Sequence, residues 1–214
     1  MRGILVPFIG NMANIAKRPL IAHVAVVLMA VAMLYGCSTA NKYSKLTADT
    51  KNFHPKSIVV LPAIVGEHGA GADEIDGVVA AGLNKRGWYK KVVDGAATRK
   101  QIEGSEELAG ALAAYLQKLD MFGIADNAAA RKIKKELGGN DAFLIVNVTS
   151  WDYGRAGGNK VAKAGFSLRL VNLETGAVVW IGRHEVVEEY TLFKPELKDV
   201  AADTIAVLAR EMPH

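Results

Sequence analysis

Ser57-Ile58-Val59-Val60-Leu61-Pro62 is a run of apolar residues without alternation that is closed by a proline. A strand with one face in water alternates polar and apolar residues, so this run predicts a strand buried on both faces. A glycine-rich turn follows at residues 66–71, and apolar residues then recur at helical spacing over 72–85. Gly87 ends this predicted helix, and residues 89–93 are predicted to form a short second strand.

Residues 96–138 carry amphipathic helical patterns. The first pattern is interrupted near Gly104 and Ser105, and Asp126 begins another helix that ends at Gly138-Gly139. This part of the chain therefore predicts helices packed against a sheet.

Residues 142–150 give the strongest strand signal, apolar on both faces at first and then alternating. A loop tip is predicted at 154–159, and a second alternating strand at 161–173. Glu174-Thr175-Gly176 predicts a tight hairpin turn, with glycine where left-handed backbone is needed, and residues 177–188 form the return strand.

Pro195 opens a final amphipathic helix. The predicted order is β-α-β-α-α-β-β-β-α. We therefore expect an α/β fold, with a mixed β-sheet flanked by helices in a single domain over residues 55–214.

The N-terminal sequence predicts a lipid anchor. Lys17-Arg18 precede an uncharged apolar run over 19–36, which ends in Leu34-Tyr35-Gly36-Cys37 before polar residues begin. This is the order of a bacterial secretion signal, and the Leu-x-Gly-Cys end looks like a lipobox, at which lipoproteins are acylated on cysteine and cleaved. We expect residues 1–36 to be a cleaved signal peptide, Cys37 to be the lipidation site and 37–54 to be a lipidated tether.

Two alternatives remain for this segment. About 18 apolar residues can span a bilayer, so the run is also long enough for a retained transmembrane helix. The cysteine at the polar boundary favours the lipoprotein. Met12 would begin a tighter signal than Met1 does.

Charge and cysteine content exclude several functions. Arg2, Lys17 and Arg18 precede Cys37 and no acid does, which leaves 23 basic and 22 acidic residues in the rest of the chain. A nearly neutral body gives no reason to expect nucleic-acid binding. Cys37 is the only cysteine, so intramolecular disulfides are excluded.

Three segments together carry a resemblance to a group of envelope lipoproteins. They are the run that ends in Pro62, residues 141–146, and Leu170–Trp180, which contains T-G-x-x-x-W from Thr175 to Trp180. The chain resembles, over about residues 56–190, the curli-secretion channel lipoprotein, the lipoprotein activators of penicillin-binding proteins, putative lipoproteins of unassigned function and the N-terminal domain of the Tol–Pal translocation protein. The resemblance implies a compact α/β domain and carries no catalytic residues.

The glycine-rich turn is a weak candidate ligand site. Gly66, Gly69 and Gly71 lie between a strand and a helix, where a phosphate loop would lie, but their spacing fits no phosphate-binding motif. Glu67 and His68 could form an acid–base pair, although general acid–base catalysis needs a positioned partner. A flexible connection between strand and helix is the simpler interpretation.

Metal sites receive little support from the sequence. His54, His68, His184 and His214 show no metal-ligand spacing, so we predict no metal and no cofactor. The acids at 73, 74 and 76 lack the pattern of a calcium loop, and acids at the start of a helix balance its dipole.

Aromatic residues at the ends of predicted elements are the best candidates for partner binding. They are Trp151, Tyr153, Trp88 and Tyr89, with Arg155 beside the first pair. The alternative is that they cap the core. A basic run at 131–135 is interpreted as a solvated helix face.

These observations favour a non-enzymatic lipoprotein that serves as an accessory or assembly factor through contacts with an envelope protein. Ser38, rather than aspartate, follows Cys37, which favours an outer-membrane, periplasm-facing location. Two alternatives are a small-ligand-binding periplasmic lipoprotein and a hydrolase. The partner and the oligomeric state do not follow from the sequence.

Overall fold

The apolar run after Lys56 forms strand β2 (Ser57–Val60) in the computed structural model, which describes residues 42–47, 53–68 and 71–214. Cys37 and the predicted signal peptide lie outside these residues. The described residues belong to one compact unit.

Eleven elements are described in this part of the chain. The strands are β1 (Tyr43–Leu46), β2, β3 (Lys91–Val93), β4 (Ala142–Ala156), β5 (Asn159–Asn172) and β6 (Val178–Tyr190). The helices are α1 (Ala72–Arg86), α2 (Gly95–Glu103), α3 (Glu106–Phe122), α4 (Asn127–Glu136) and α5 (Leu197–Ala209).

The six strands form one mixed sheet in the order β1-β6-β5-β4-β2-β3. β2 pairs in parallel with β3 on one side and with β4 on the other. β4, β5 and β6 form an antiparallel meander, and β1 adds antiparallel to β6 at the far edge. The predicted α/β fold with a mixed sheet is confirmed.

The sheet separates two hydrophobic cores. On the first face, Ile58, Leu144 and Phe166 pack with residues of α1 and α5. On the second face, Val59 and Phe143 pack with residues of α3 and α4. Because successive strand residues point to opposite faces, the unbroken apolar run of β2 supplies both cores.

Several predicted elements differ from the structure. The tether was expected to lack structure over 37–54, but Tyr43–Leu46 forms the edge strand β1. The loop expected at 154–159 is only the two-residue turn Gly157-Gly158, because both glycines adopt positive φ and β4 and β5 continue to its ends. The helical stretch contains three helices instead of two, since Ser105 and Asp126 each cap a new one.

Asp141 ties the start of the parallel strands to the meander. Its Oδ2 accepts hydrogen bonds from the backbone N–H of Lys56 at 2.8 Å and from the N–H and hydroxyl of Ser57 at 3.0 Å. Its carbonyl accepts from the N–H of Leu173 at 2.9 Å. Burial alone would raise the pKa of Asp141, but these hydrogen bonds and the charge of Lys134 outweigh burial and lower it.

None of the described helices combines the length and the apolar composition that crossing a bilayer requires.

We predict that Asp141→Asn lowers the free energy of unfolding by about 1–2 kcal/mol near neutral pH, because the amide cannot accept the same set of charge-assisted hydrogen bonds. The folded pKa lies below the unfolded value of 3.8, so this stabilisation is present above that pH and disappears as the pH falls through the folded pKa. Urea unfolding across this pH range should show the difference between wild type and variant shrinking in acid.

Asp203→Asn is the matched control, because Asp203 is exposed on α5 and makes no described side-chain contact. A loss of stability in Asp141→Asn that is independent of pH would contradict this account.

Candidate functional site

The end of the sheet at the β4–β5 turn carries the most exposed apolar residues of the described chain. We define the hairpin end as the Gly157-Gly158 turn together with the loop from β6 to α5, residues 191–196. Leu192 and Phe193 in this loop are 88% and 90% exposed. Large apolar side chains exposed to this degree side by side mark a candidate contact surface.

Tyr153 fixes the base of this loop. Its hydroxyl donates to the carbonyl of Pro195 at 2.8 Å, and its ring packs edge-on against Tyr190 with centroids 6.2 Å apart. The ammonium of Lys194 lies 3.4 Å from the Tyr153 ring centroid, a cation–π contact. These contacts hold the loop backbone on both sides of Leu192 and Phe193, whose side chains stay in solvent.

Trp151 and Arg155 occupy the same end of β4 in different environments. Trp151 is half-buried against the first core. Arg155 is exposed, and its Nη1 lies 3.4 Å from the carbonyl of Gly158. Of the three residues predicted here from the sequence, Tyr153 and Arg155 are exposed at the surface and Trp151 contributes mainly to the core.

Trp88 and Tyr89 lie at the opposite end of the sheet, so the structure does not bring all five predicted residues together. Trp88 stacks on His214 with ring centroids 3.8 Å apart, and the guanidinium of Arg86 lies 5.6 Å from its centroid. The Tyr89 hydroxyl donates to the carbonyl of Pro213 at 2.8 Å, and burial raises the pKa of Tyr89 well above its usual value. These two residues hold the C-terminus of the chain against the first core.

A second candidate surface lies on the other face of the sheet, beside the C-terminal end of α3. A cleft of about 770 Å³ lies between this end of α3 and strands β5, β6 and β1, near the row in which Leu144, Leu170 and Trp180 pair across the sheet. We call it the α3–β1 cleft. It is lined on the strands by Tyr43, Ser167, Arg169, Ile181 and Arg183, among others, and on the α3 side by Leu119 and Asp120.

The sequence candidates for catalysis are not assembled into a site. Glu67 and His68 are exposed in the turn after β2, and neither side chain has a hydrogen-bond partner among the described residues. Asp76, one of the three acids at the start of α1, is buried. Its carboxylate accepts hydrogen bonds from the N–H of Ala63 and from Arg99, each at 2.8 Å. Asp76 therefore ties the segment after β2 to α1, and its carboxylate is not exposed to bind a free cation.

Metal-ligating residues do not converge in the described part of the chain: it contains no group of three or more His, Cys, Asp or Glu side chains placed to hold a metal. His54 lies next to the C-terminal residue, with its Nδ1 2.7 Å from the carbonyl of His214. The basic run on α4 is mostly exposed, and Lys134 pairs with Glu174 at 2.5 Å.

Sequence reasoning found Tyr153 and Arg155 at the hairpin end but missed Leu192, Phe193 and the α3–β1 cleft. Leu192-Phe193 is an apolar pair between polar residues and has no periodicity. The only sequence signal of this surface is therefore the presence of two large apolar residues side by side. The α3–β1 cleft is built from four elements that are distant in the chain, and no local motif signals it.

No protein-family model matches the sequence, and no curated protein matches it. Solved structures do match. The chain is similar to PelC from Paraburkholderia phytofirmans, crystallised as a dodecamer, at 14% identity and a TM-score of 0.53, over 81% of this chain and 97% of that chain. It is also similar to lipoprotein GNA1162 from Neisseria meningitidis, at 20% identity and a TM-score of 0.45, over 74% of this chain and 100% of that chain.

The fold is shared with PelC. At 14% identity the likeness concerns the fold alone, because one fold hosts many functions. The α/β domain implied by the resemblance to envelope lipoproteins is confirmed at this level.

We predict that Tyr89→Phe lowers the free energy of unfolding by about 1 kcal/mol, because it removes a hydrogen bond shielded from water. Tyr153→Phe makes the same chemical change to an equally short bond to a proline carbonyl, but Tyr153 is 37% exposed and Tyr89 only 8%. Water replaces the lost bond at Tyr153, so this control should change stability little. Equal losses in urea unfolding would count against a structural role specific to Tyr89.

Proposed function

We propose that this chain is a lipid-anchored envelope lipoprotein that acts as an accessory or assembly factor through protein contacts, without catalysis, at the membrane that holds Cys37. The observation that carries the proposal is the direction of β1. β1 begins six residues after Cys37 and runs antiparallel to β6, with Tyr43 opposite Arg183 and Leu46 opposite Trp180.

Tyr43, the first residue of β1, is the residue of this strand nearest the hairpin end, because it pairs with Arg183 whereas Leu46 pairs farther back with Trp180. The seven steps along β6 from Arg183 to Tyr190 rise about 23 Å. Six residues span at most about 20 Å, so the length of chain between Tyr43 and Cys37 permits the acyl group and the hairpin end to reach one bilayer.

The hairpin end supports contact with the same bilayer. Burying one exposed Leu or Phe contributes about 1.5–3 kcal/mol, so Leu192 and Phe193 would add a weak second attachment to the acyl anchor. Lys160 and Lys194 lie near the loop, but so do Glu188 and Glu189, so apolar burial rather than charge drives this contact. Two attachments would hold the domain in one orientation.

Assembly through protein contacts also draws support from the structural similarity to PelC, which is described as a dodecamer. Self-assembly is one form that the proposed protein contacts can take. Ser38 after the acylated cysteine supports the outer membrane as the location, facing the periplasm.

A small-ligand-binding lipoprotein is the second candidate, and the α3–β1 cleft of about 770 Å³ is the observation that favours it. Pockets of this size hold drug-sized ligands. The hydrolase is the weakest alternative, because Glu67 and His68 have no positioned partner in the described structure.

We expect mass spectrometry of the protein purified from its host to show a chain that begins at an acylated Cys37. Cys37→Ser should accumulate as the unprocessed precursor, because the thiol that accepts the lipid is gone, whereas Ser38→Ala should be processed normally. A wild-type chain with a free thiol and residues 1–36 still attached would exclude the anchor.

The orientation predicts different environments for two exposed residues. Acylation of Cys37 leaves no free thiol, so Phe193→Cys and Met121→Cys can each be labelled with an environment-sensitive dye in the mature lipoprotein on vesicles. Met121, at the end of α3, is 63% exposed and serves as the control. We expect a blue-shifted emission at position 193 alone, because only that position enters the bilayer. The same emission at both positions would contradict contact of the hairpin end with the membrane.

A further inference from the structure

Among the described residues, β1 presents an open strand edge beside the α3–β1 cleft. It is the outermost strand of the sheet, and all four of its residues are exposed. The N–H of Thr47 donates to the carbonyl of Val179, so by alternation Tyr43 and Lys45 also direct their backbone groups to β6. Ser44 and Leu46 therefore turn theirs outward, where another strand can bond to them.

The side chains on the cleft side of this edge are basic. Tyr43 and Thr47 line the cleft, and Lys45 lies between them on the same face of β1. Lys45 and Arg169 are both opposite Ile181, from the two sides of β6. Arg183 lies two residues farther along β6, so its backbone is diagonally about 7–8 Å from that of Lys45 and from that of Arg169.

This charge is only partly balanced within the described structure. Asp120 is the one acid that lines the cleft, and it pairs with Arg169 at 2.8 Å. Lys45 and Arg183 make no ion pair with any described residue, and Glu185, the next residue of β6 on the same face, does not pair with Arg183. Like charges at this spacing repel each other, so an anion bound between them would be stabilised.

We propose that the open edge of β1 binds an extended acidic peptide segment of a partner protein, which adds to the sheet as a further strand and places carboxylates in the α3–β1 cleft. This proposal names the chemistry of the protein contacts proposed above and rests on them. Backbone hydrogen bonds to Ser44 and Leu46 would give affinity, and alternate side chains would give specificity.

The dimensions permit these pairings. An added strand would lie about 4.8 Å outside β1 and about 10 Å from β6. A glutamate on its cleft side would stand beside Lys45, and a neighbouring glutamate would meet the long side chain of Arg183 above the Tyr43 ring. Bidentate pairing of guanidinium with carboxylate would select acids over neutral residues.

The same charges disfavour a second copy of this chain at the edge. Antiparallel pairing of two β1 strands would bring Lys45 of each copy close together, whereas Lys42 is on the other face and pairs with Glu211. Like charges opposite each other destabilise a strand pair.

The test uses the mature lipoprotein in detergent micelles and a dye-labelled short peptide that alternates valine and glutamate. Fluorescence anisotropy should show this peptide binding at least about tenfold more tightly than the same peptide with glutamine in place of glutamate. Arg183→Glu should weaken binding about tenfold or more, and Lys91→Glu, on the opposite edge strand β3, should leave it unchanged.

The strand edge is tested separately. Leu46→Pro removes an outward N–H from an exposed edge position, and Leu46→Ala keeps it, so only the proline variant should lose peptide binding. Circular dichroism and thermal unfolding would check that both variants remain folded.

Equal binding of the two peptides, no binding of either, equal effects of Arg183→Glu and Lys91→Glu, or self-association that Leu46→Pro abolishes would each overturn the proposal. Binding in micelles does not depend on acylation. A free thiol at Cys37 would therefore remove the anchor and leave this result intact, and loss of peptide binding would leave the anchor intact.

Discussion

Burial of β2 on both faces is the constraint on which the rest of the structure depends. Ile58 and Val60 enter one core, and Val59 enters the other, so the strand is stable only if helices cover both sides of the sheet. α1 and α5 cover the first face, and α3 and α4 cover the second. Asp141 then holds the start of β2 beside the start of β4, which sets the register of the parallel pair that lies in the middle of both cores.

The candidate surfaces arise where this constraint ends. β2 is four residues long, but β4, β5 and β6 have 13 to 15 residues each, so the meander extends beyond the helices that cover β2. At the tip this extension leaves the hairpin end. The α3–β1 cleft instead lies beside α3 at the level of β2, where β6 and β1 lie beyond the edge of that helix. Neither Phe193 nor Arg183 belongs to a core, so these surfaces can change without loss of the fold. This separation suits a protein that acts by contact.

The aromatic residues show where prediction from sequence succeeds and where it fails. The sequence predicts Trp88 and Tyr89 as partner-binding residues together with Trp151 and Tyr153, because all four lie at the ends of elements. Residues that cap the core lie there too, so this position does not distinguish the two roles. The structure separates them through partners distant in the chain: Tyr89 bonds Pro213, and Tyr153 bonds Pro195. Asp76 is a similar case, because its place at a helix start suggested an exposed acid and its contact with Arg99 makes it a buried one.

The sequence alone determined the strands, helices and turns whose signals are local. Continuous apolar residues predicted β2, positive-φ glycines ended α1 and turned the chain at Gly176, and the Leu-Tyr-Gly-Cys segment predicted the anchor. Tertiary structure decided the rest. β1 lies in a polar segment without periodicity, because an edge strand that is exposed on every residue needs no apolar pattern and is held by its hydrogen bonds to β6. The hairpin end depends on how far the meander extends past the helices, and the cleft depends on where α3 packs relative to β6 and β1. No single segment of the chain encodes either relation.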